Sequence, residues 1–440
     1  MKQDTGGLAK QSQALREGAH KAHKRIKHVH QSLDEAHEVI REIEEKEISK
    51  GRGDLIKKQK PFFVVGIGAS AGGYEAFAQL LEQLPAETGM AFVFVQHLDP
   101  THKSSLTSLL SRLTHIAVTE IRNQTRLISN HVYVIPPNTV LSISGGVLQL
   151  TPRKKVDHYL PIDNFFRSLA QDQGNLAIGI ILSGNGHDGA AGLKEIKAGG
   201  GITFAQETTT CKFSGMPESA VATGCVDYVL PPAGISQELE RIARHRTPEH
   251  DALEHPVPGS ENDLAKIIAI LRVGSGVDFS CYKPTTLRRR INRRMVLKRI
   301  EKLADYVTFL QKNRAEIELL FHDILINVTG FFRDPAAFQT LKKKIFPRIL
   351  KDRPPNRPIR IWVPGCATGE EVYSLAICLH EFLGKNRSHN AIQIFGTDIS
   401  ENVVAKARSG IYPRSIESQV SPERLRRYFQ KSDGGYWTRI

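Results

Sequence analysis

The chain has 440 residues, 24% of them charged, and a formal net charge of +14. At about 100–200 residues per domain this length suggests roughly three folding units; no run of about 18 apolar residues marks a membrane span, and the opening MKQDTGGLAKQ lacks the apolar stretch of a signal peptide. Five scattered cysteines without a CxxC pair argue against a disulfide framework or a zinc site and for reduced thiols in a cytoplasm, while the basic balance favours an acidic partner: nucleic acid, an anionic membrane surface or an acidic protein.

Residues 1–50 read as one helix. Leu15, Ala19, Ala22, Ile26, Val29, Leu33, Ala36, Ile40 and Ile43 are spaced alternately four and three, a heptad seam with charged residues on the other faces. A dimeric coiled coil, and through it a homodimer, is the favoured reading; an amphipathic helix packed on its own chain is the alternative. His20, His23, His28, His30 and His37 scatter around this helix and do not form a metal site. Residues 51–60 are a charged linker.

From residue 61 to 240 the periodicity changes. Short apolar runs at Phe62–Ile67, Ala91–Val95, Val132–Ile135 and Ala177–Leu182 alternate with helical stretches such as Tyr74–Leu84 and Leu193–Ala198, which implies a parallel α/β sheet. Residues 241–263 are a second linker, rich in His, Pro and acidic residues. Residues 264–326 are helical throughout. Strand character returns at Ile359–Val363 and Ile392–Phe395, so residues 327–440 form a second α/β unit, expected to be truncated because too few strands are present to close a nucleotide-binding sheet.

The first strand runs into Gly66-Ile67-Gly68-Ala69-Ser70-Ala71-Gly72-Gly73, and two readings compete. As G-x-G-x-x-A it is a dinucleotide loop, but the second strand closes with Gln96 and His97 where that reading wants an acid. As G-x-S-x-G it is a strand-to-helix turn presenting a serine. His97 follows the next strand, on the edge where parallel sheets hold active sites, and Asp188 sits in the Gly-rich loop Gly184–Gly189 after another strand. Ser, His and Asp therefore fall on one sheet edge, as a nucleophile, a base and its orienting carboxylate require. Taken singly, Ser70 also reads as a helix cap, His97 as a hydrogen-bonded loop residue and Asp188 as a turn residue.

GASAGG, VQHLDP, SGNGHDGAAGL and the segment Phe213–Pro217 resemble the signature segments of the chemotaxis receptor methylesterases, the CheB family, over residues 61–240. The resemblance implies Ser70 as nucleophile, His97 as general acid–base and Asp188 as its orienter. The expected substrate is a γ-glutamyl methyl ester on a receptor helix, and some members also deamidate glutamine. Ala71 and Asn185 depart from the family's usual residues. The residues before Pro61 are too few for the family's phosphoacceptor receiver domain.

The second unit opens with Ile361-Trp362-Val363-Pro364-Gly365-Cys366-Ala367-Thr368-Gly369-Glu370-Glu371, a strand, a small-residue loop and a helix start. Strand Ile392–Phe395 then ends on Asp398, a carboxylate suited to ribose hydroxyls. A generic α/β loop is the competing reading. Phe279–Arg299, Asn327–Pro335 and GCATGEEVYS resemble the chemotaxis receptor methyltransferases, the CheR family, whose helical domain corresponds to residues 264–326. By that resemblance Asn327, Thr329, Arg333, Glu370 and Asp398 contact S-adenosylmethionine, with the choice between Glu370 and Glu371 open. Leu287–Arg299 is a dense basic helix without interleaved aromatics, which disfavours nucleic acid. In that family the equivalent helix docks on an acidic receptor helix; a solvated basic face is the alternative.

The expectation is thus an α/β parallel-sheet hydrolase domain, a small all-helical domain and a partial methyltransferase domain, joined in one soluble cytoplasmic protein of chemosensory adaptation. Its partners would be methyl-accepting receptors. The esterase needs no cofactor, and neither site carries a metal constellation. A non-catalytic signalling scaffold using the coiled coil and the basic helix is the alternative.

Overall fold

Strand β1 (Val64–Ala69) is buried at every position, as a strand covered on both faces must be. Helix α1 (Gly73–Glu82) follows and buries Ala76, Phe77, Leu80 and Leu81. Strands β2 (Ala91–Gln96), β3 (Ala117–Glu120) and β4 (His131–Val134) come next, then helix α2 (Pro161–Gln173), β5 (Ala177–Ile181), α3 (Ala190–Ala198), β6 (Ile202–Gln206) and β7 (Tyr228–Leu230). They belong to a computed structural model that describes residues 61–97, 105–153, 160–244, 260–326, 329–351, 357–384, 391–432 and 435–439. The heptad segment with its histidines, and Asn327, lie outside the described residues.

The strands build one sheet in the order β7-β6-β5-β1-β2-β4-β3, parallel at every pairing. Apolar clusters cover both faces, one around Phe77, Phe92 and Phe204, the other around Phe165, Phe166 and Leu169. The chain runs outward from β1 through β2 and returns to place β5 on the other side of β1. The crevice beyond the carboxyl ends of β1 and β5 is therefore the switch point where parallel sheets bind ligands. Strands β3, β6 and β7 and the hairpin Thr139–Ser144/Val147–Pro152 escape the apolar-run pattern. The hairpin turns at Gly145 and Gly146, with φ of 59° and 71°, the left-handed values a tight hairpin turn needs.

A helical layer follows: Ser260–Ser275, α4 (Pro284–Lys298), Leu303–Lys312 and α5 (Arg314–Ile324) close around Ile267, Leu271, Ile291, Tyr306, Leu310 and Leu320. Beyond it, β8 (Ile359–Pro364), α6 (Glu370–Leu383) and β9 (Ile392–Thr397) form a strand–helix–strand unit whose two strands pair in parallel. On this sheet Trp362 and Phe395 are 68% and 52% exposed. A separate antiparallel sheet joins Ile411–Pro413, Gly435–Thr438 and Phe429–Ser432. Among the described residues no helix is long and apolar enough to cross a membrane.

The basic helix corrects the sequence reading. It is not one solvated basic face, because Arg290, Asn292, Arg293 and Arg294 of α4 are buried, while Arg288 and Arg289 are half-buried and Lys298 and Arg299 exposed. Arg293 bonds Asp227 beside β7 and Asp323 of α5, and its Nε donates to Gly201 O at 2.9 Å. Arg290 donates to Lys197 O at 2.6 Å and also to Ala198 O. Arg294 pairs with Glu316 at 2.7 Å, where Tyr306 adds a hydroxyl at 3.0 Å. Val296 and Leu297 pack on the cluster around Phe77. A buried guanidinium is tolerable only when its donors are largely matched; carboxylates and carbonyls from both flanking domains take most of them, while Arg290 Nε is buried without a partner among the described residues. Burial works against ionisation of Asp227, yet Arg293 and Lys197 outweigh it and hold the carboxyl below its ordinary range.

Candidate active site and cofactor region

Ser70 stands where β1 gives way to α1. Its backbone N–H donates to Ser183 O at 3.0 Å, and its carbonyl accepts from Gly73 N at 2.9 Å and from Gln96 Nε2 at 3.3 Å. Gly72, with φ of 74°, makes the turn into the helix. Gly184 in the facing loop permits the approach: a Cβ there would lie 2.8 Å from Ser70 Cβ. The segment Phe213–Met216 backs that loop, with Gly184 N donating to Phe213 O at 3.0 Å and Met216 N to Gly184 O at 2.8 Å. Ser183 ties the two turns together, its hydroxyl donating to Ala71 O at 2.9 Å while accepting from Phe213 N at 3.0 Å.

His97 follows β2, and its Nε2 lies 2.7 Å from Asp188 Oδ2. Because a carboxylate can only accept, Nε2 is the donor in this pair. The imidazole side chain is 32% exposed and the carboxylate 2%, so the pair has one wet edge and one buried anchor. Asp188 also accepts from Ile162 N at 3.1 Å and Asp163 N at 2.9 Å, both in the first turn of α2. Among the described residues the Ser70 hydroxyl has no hydrogen-bond partner. The three expected residues thus gather at one edge, with the His–Asp link made. Sequence reasoning missed Asp163 and Gln96: an acid in a helix's first turn and a glutamine at a strand end both look ordinary.

In the second α/β unit, Thr329, Arg333, Gly365, Ala367 and Glu371 line a cavity of about 600 Å³, within the range of small-molecule sites. Asp398 reaches the same loop, Oδ2 accepting from Ala367 N at 3.0 Å and Oδ1 from Ser400 N at 2.9 Å. Each oxygen keeps room for a further donor. Glu370 lies apart from this cavity. It is buried, accepts from the Thr368 hydroxyl at 2.6 Å, and borders a neighbouring cavity of about 590 Å³ with Thr329 and Tyr412, which Gly186, His187 and Lys194 also line. Gly365 and Ala367 have φ of 68° and 47°, the tight turn that exposes loop backbone to a ligand. An open cavity with a carboxylate, a guanidinium and small loop residues fits a nucleoside carrying an amino-acid tail.

Three family models match consecutive stretches: CheB methylesterase over residues 65–239, the all-alpha domain of CheR methyltransferase over 262–325, and the SAM binding domain of CheR methyltransferase over 327–440. An uncharacterised 104.1 kDa protein of Rhodobacter capsulatus is 33% identical over 355 residues, 76% of this chain and 37% of that protein. A protein-glutamate methylesterase/protein-glutamine glutaminase of Burkholderia lata is 39% identical over 178 residues, 39% of this chain and 49% of that protein. The chain thus spans half or less of the length of these relatives. The crystal structure of the Thermotoga maritima CheB methylesterase catalytic domain is 29% identical, covering 41% of this chain and 98% of that one, with a TM-score of 0.39. By the three family matches, the polypeptide joins in one chain a CheB methylesterase domain and the all-alpha and SAM binding domains of a CheR methyltransferase.

Proposed function

We propose that the chain hydrolyses γ-glutamyl methyl esters on methyl-accepting chemotaxis receptors, with Ser70 as nucleophile, His97 as general acid–base and Asp188 as its orienter. The observation that carries this reading is the 2.7 Å His97–Asp188 link beside the serine turn, within the stretch matched by the methylesterase family. Ser70 Oγ attacks the ester carbonyl as His97 Nδ1 takes its proton. The amino terminus of α1 and the backbone N–H groups after Ser70 face the developing oxyanion. Collapse of that intermediate expels methoxide, which takes the proton from His97 and leaves as methanol. Water then attacks the acyl-serine, His97 accepts the water's proton and returns one to Ser70, and glutamate is released. A glutamine side chain would follow the same route with ammonia as the leaving group.

Within the same proposal the C-terminal region binds S-adenosylmethionine, which when bound supplies an electrophilic methyl group for a receptor glutamate. Thr329, Arg333 and Asp398, with Asn327, would hold it, Asp398 being suited to the ribose hydroxyls, and Glu371, which lines the cavity, takes the place expected of Glu370. The decisive experiment is methanol release from methylated receptor membranes by the full chain beside Ser70→Ala. Release that vanishes in the variant supports the esterase and its nucleophile. No release from the folded protein across several receptors would overturn the reading.

A further inference from the structure

Two helix amino termini flank the esterase centre, and neither is capped by its own residue. The N-cap of α2 is Leu160 and that of α3 is Gly189, with no side-chain cap at either. Each is capped by the other's aspartate. Asp188, which immediately precedes Gly189, takes the N–H groups of Ile162 and Asp163 in the first turn of α2. Asp163, on α2, takes the N–H of Gly192 in the first turn of α3 at 2.7 Å. Both carboxylates are nearly inaccessible, at 4% and 2%. The two helices also approach closely, since a Cβ on Gly192 would meet Phe166 Cβ at 2.5 Å.

We propose that Asp163 is a positioning residue of the esterase: by capping α3 from α2 it fixes the loop that presents Asp188, and through Asp188 the orientation of His97. This rests on the triad proposed above, in which Asp163 itself touches neither substrate nor the reacting atoms. The interlock sets two carboxylates close together, and the positive ends of two helices offset their repulsion. Burial, and then the charge of Asp188, push the Asp163 carboxyl up to about 7; the Gly192 and Gly189 N–H groups and Arg167 on its own helix pull the other way. Asp188 and Arg167 are the charged groups facing it, and His97 stands on the far side of Asp188. The charge behind the His97–Asp188 pair therefore changes near neutral pH.

The test is the rate at which a fluorophosphonate labels Ser70 in the full chain, followed from pH 5 to 9 in wild type, Asp163→Ala, Asp163→Asn and Ser70→Ala. Asp163→Ala should label about 10- to 100-fold more slowly, the cost of a slightly misplaced catalytic group. Asp163→Asn keeps an acceptor for Gly192, so it should recover most of that rate while its pH profile loses the ionisation near 7. Should Asp163→Ala not fold, the Asp163→Asn profile decides alone. Wild-type labelling rates in Asp163→Ala, or an Asp163→Asn profile superimposable on wild type, would overturn the positioning role. Wild type that is not labelled at Ser70 instead sinks the triad, and this inference with it.

Discussion

Arg293 joins Asp227 of the esterase domain to Asp323 of the helical domain, with a side chain that is fully buried. One guanidinium thereby fastens the basic helix between two domains, and three of its arginines, Arg290, Arg293 and Arg294, are spent inside the protein. Removing one member of such a network leaves uncompensated charge, which costs about 3–5 kcal/mol. Arg293→Ala should destabilise the chain by that order in chemical denaturation. Lys283→Ala, at the exposed start of the same helix, should change stability far less; equal effects would contradict the clamp.

Gly184 lies so close to Ser70 that it has no room for a side chain. Gly184→Ala would bring a methyl group to 2.8 Å from Ser70 Cβ and 2.2 Å from Met216 Sδ. The thioether can swing aside; the backbone-anchored Cβ cannot. Esterase turnover should fall by about 100-fold with the circular dichroism spectrum unchanged. Near-normal turnover would show that the turn relaxes.

Asp188→Asn should separate the carboxylate's chemical role from its structural one. The single amide oxygen can still take one of the two α2 N–H groups that Asp188 accepts, so the melting temperature should fall only modestly. Without a charged acceptor the imidazole loses its preferred tautomer, and the comparable exchange in a serine protease triad costs about 10⁴ in kcat. Methanol release should fall by on the order of 10³–10⁴, and a loss under about tenfold would rule out the assigned role.

Asp163 also predicts a pH dependence of stability. Its folded carboxyl titrates at about 7 instead of 3.8, so between those values the unfolded chain releases a proton that the folded chain keeps. Stability from this group is complete below about 3.8 and is lost as pH rises through about 7. Asp227 and Glu238, whose carboxyls are held low, contribute in the opposite sense. The difference between wild type and Asp163→Asn isolates the first effect: the variant should gain relative stability as pH rises from 4 to 7, and a flat difference would contradict the buried acid.

Asp398 belongs to the cofactor proposal. Asp398→Ala should weaken S-adenosylmethionine binding by tenfold or more in calorimetry, while methanol release stays at the wild-type rate. Unchanged binding would remove Asp398 from the site.

The residues at the esterase centre were legible without coordinates because their placement is local. An apolar strand followed by a glycine-rich turn and a helix puts the turn at the carboxyl edge of a parallel sheet, so Ser70, His97 and Asp188 had to share an edge once their strands were identified. The switch point between β1 and β5 was not legible: sheet order depends on which strands pair, and the apolar-run pattern passed over β3, β6 and β7. Glu370 shows the same division. Its loop was recognisable, but the cavity it borders depends on how the helix turns.

The sequence by itself determined the order of the domains, the parallel α/β character of the esterase and the chemical groups at its edge, because strand periodicity and turn residues act over a few positions. Only the tertiary structure decided what the arginines of α4 do and what Asp163 holds. Arg293 meets an aspartate 66 residues away, and Asp163 caps a helix 29 residues on. A buried charge is stable only with its partners in place, and no local pattern records where those partners will be.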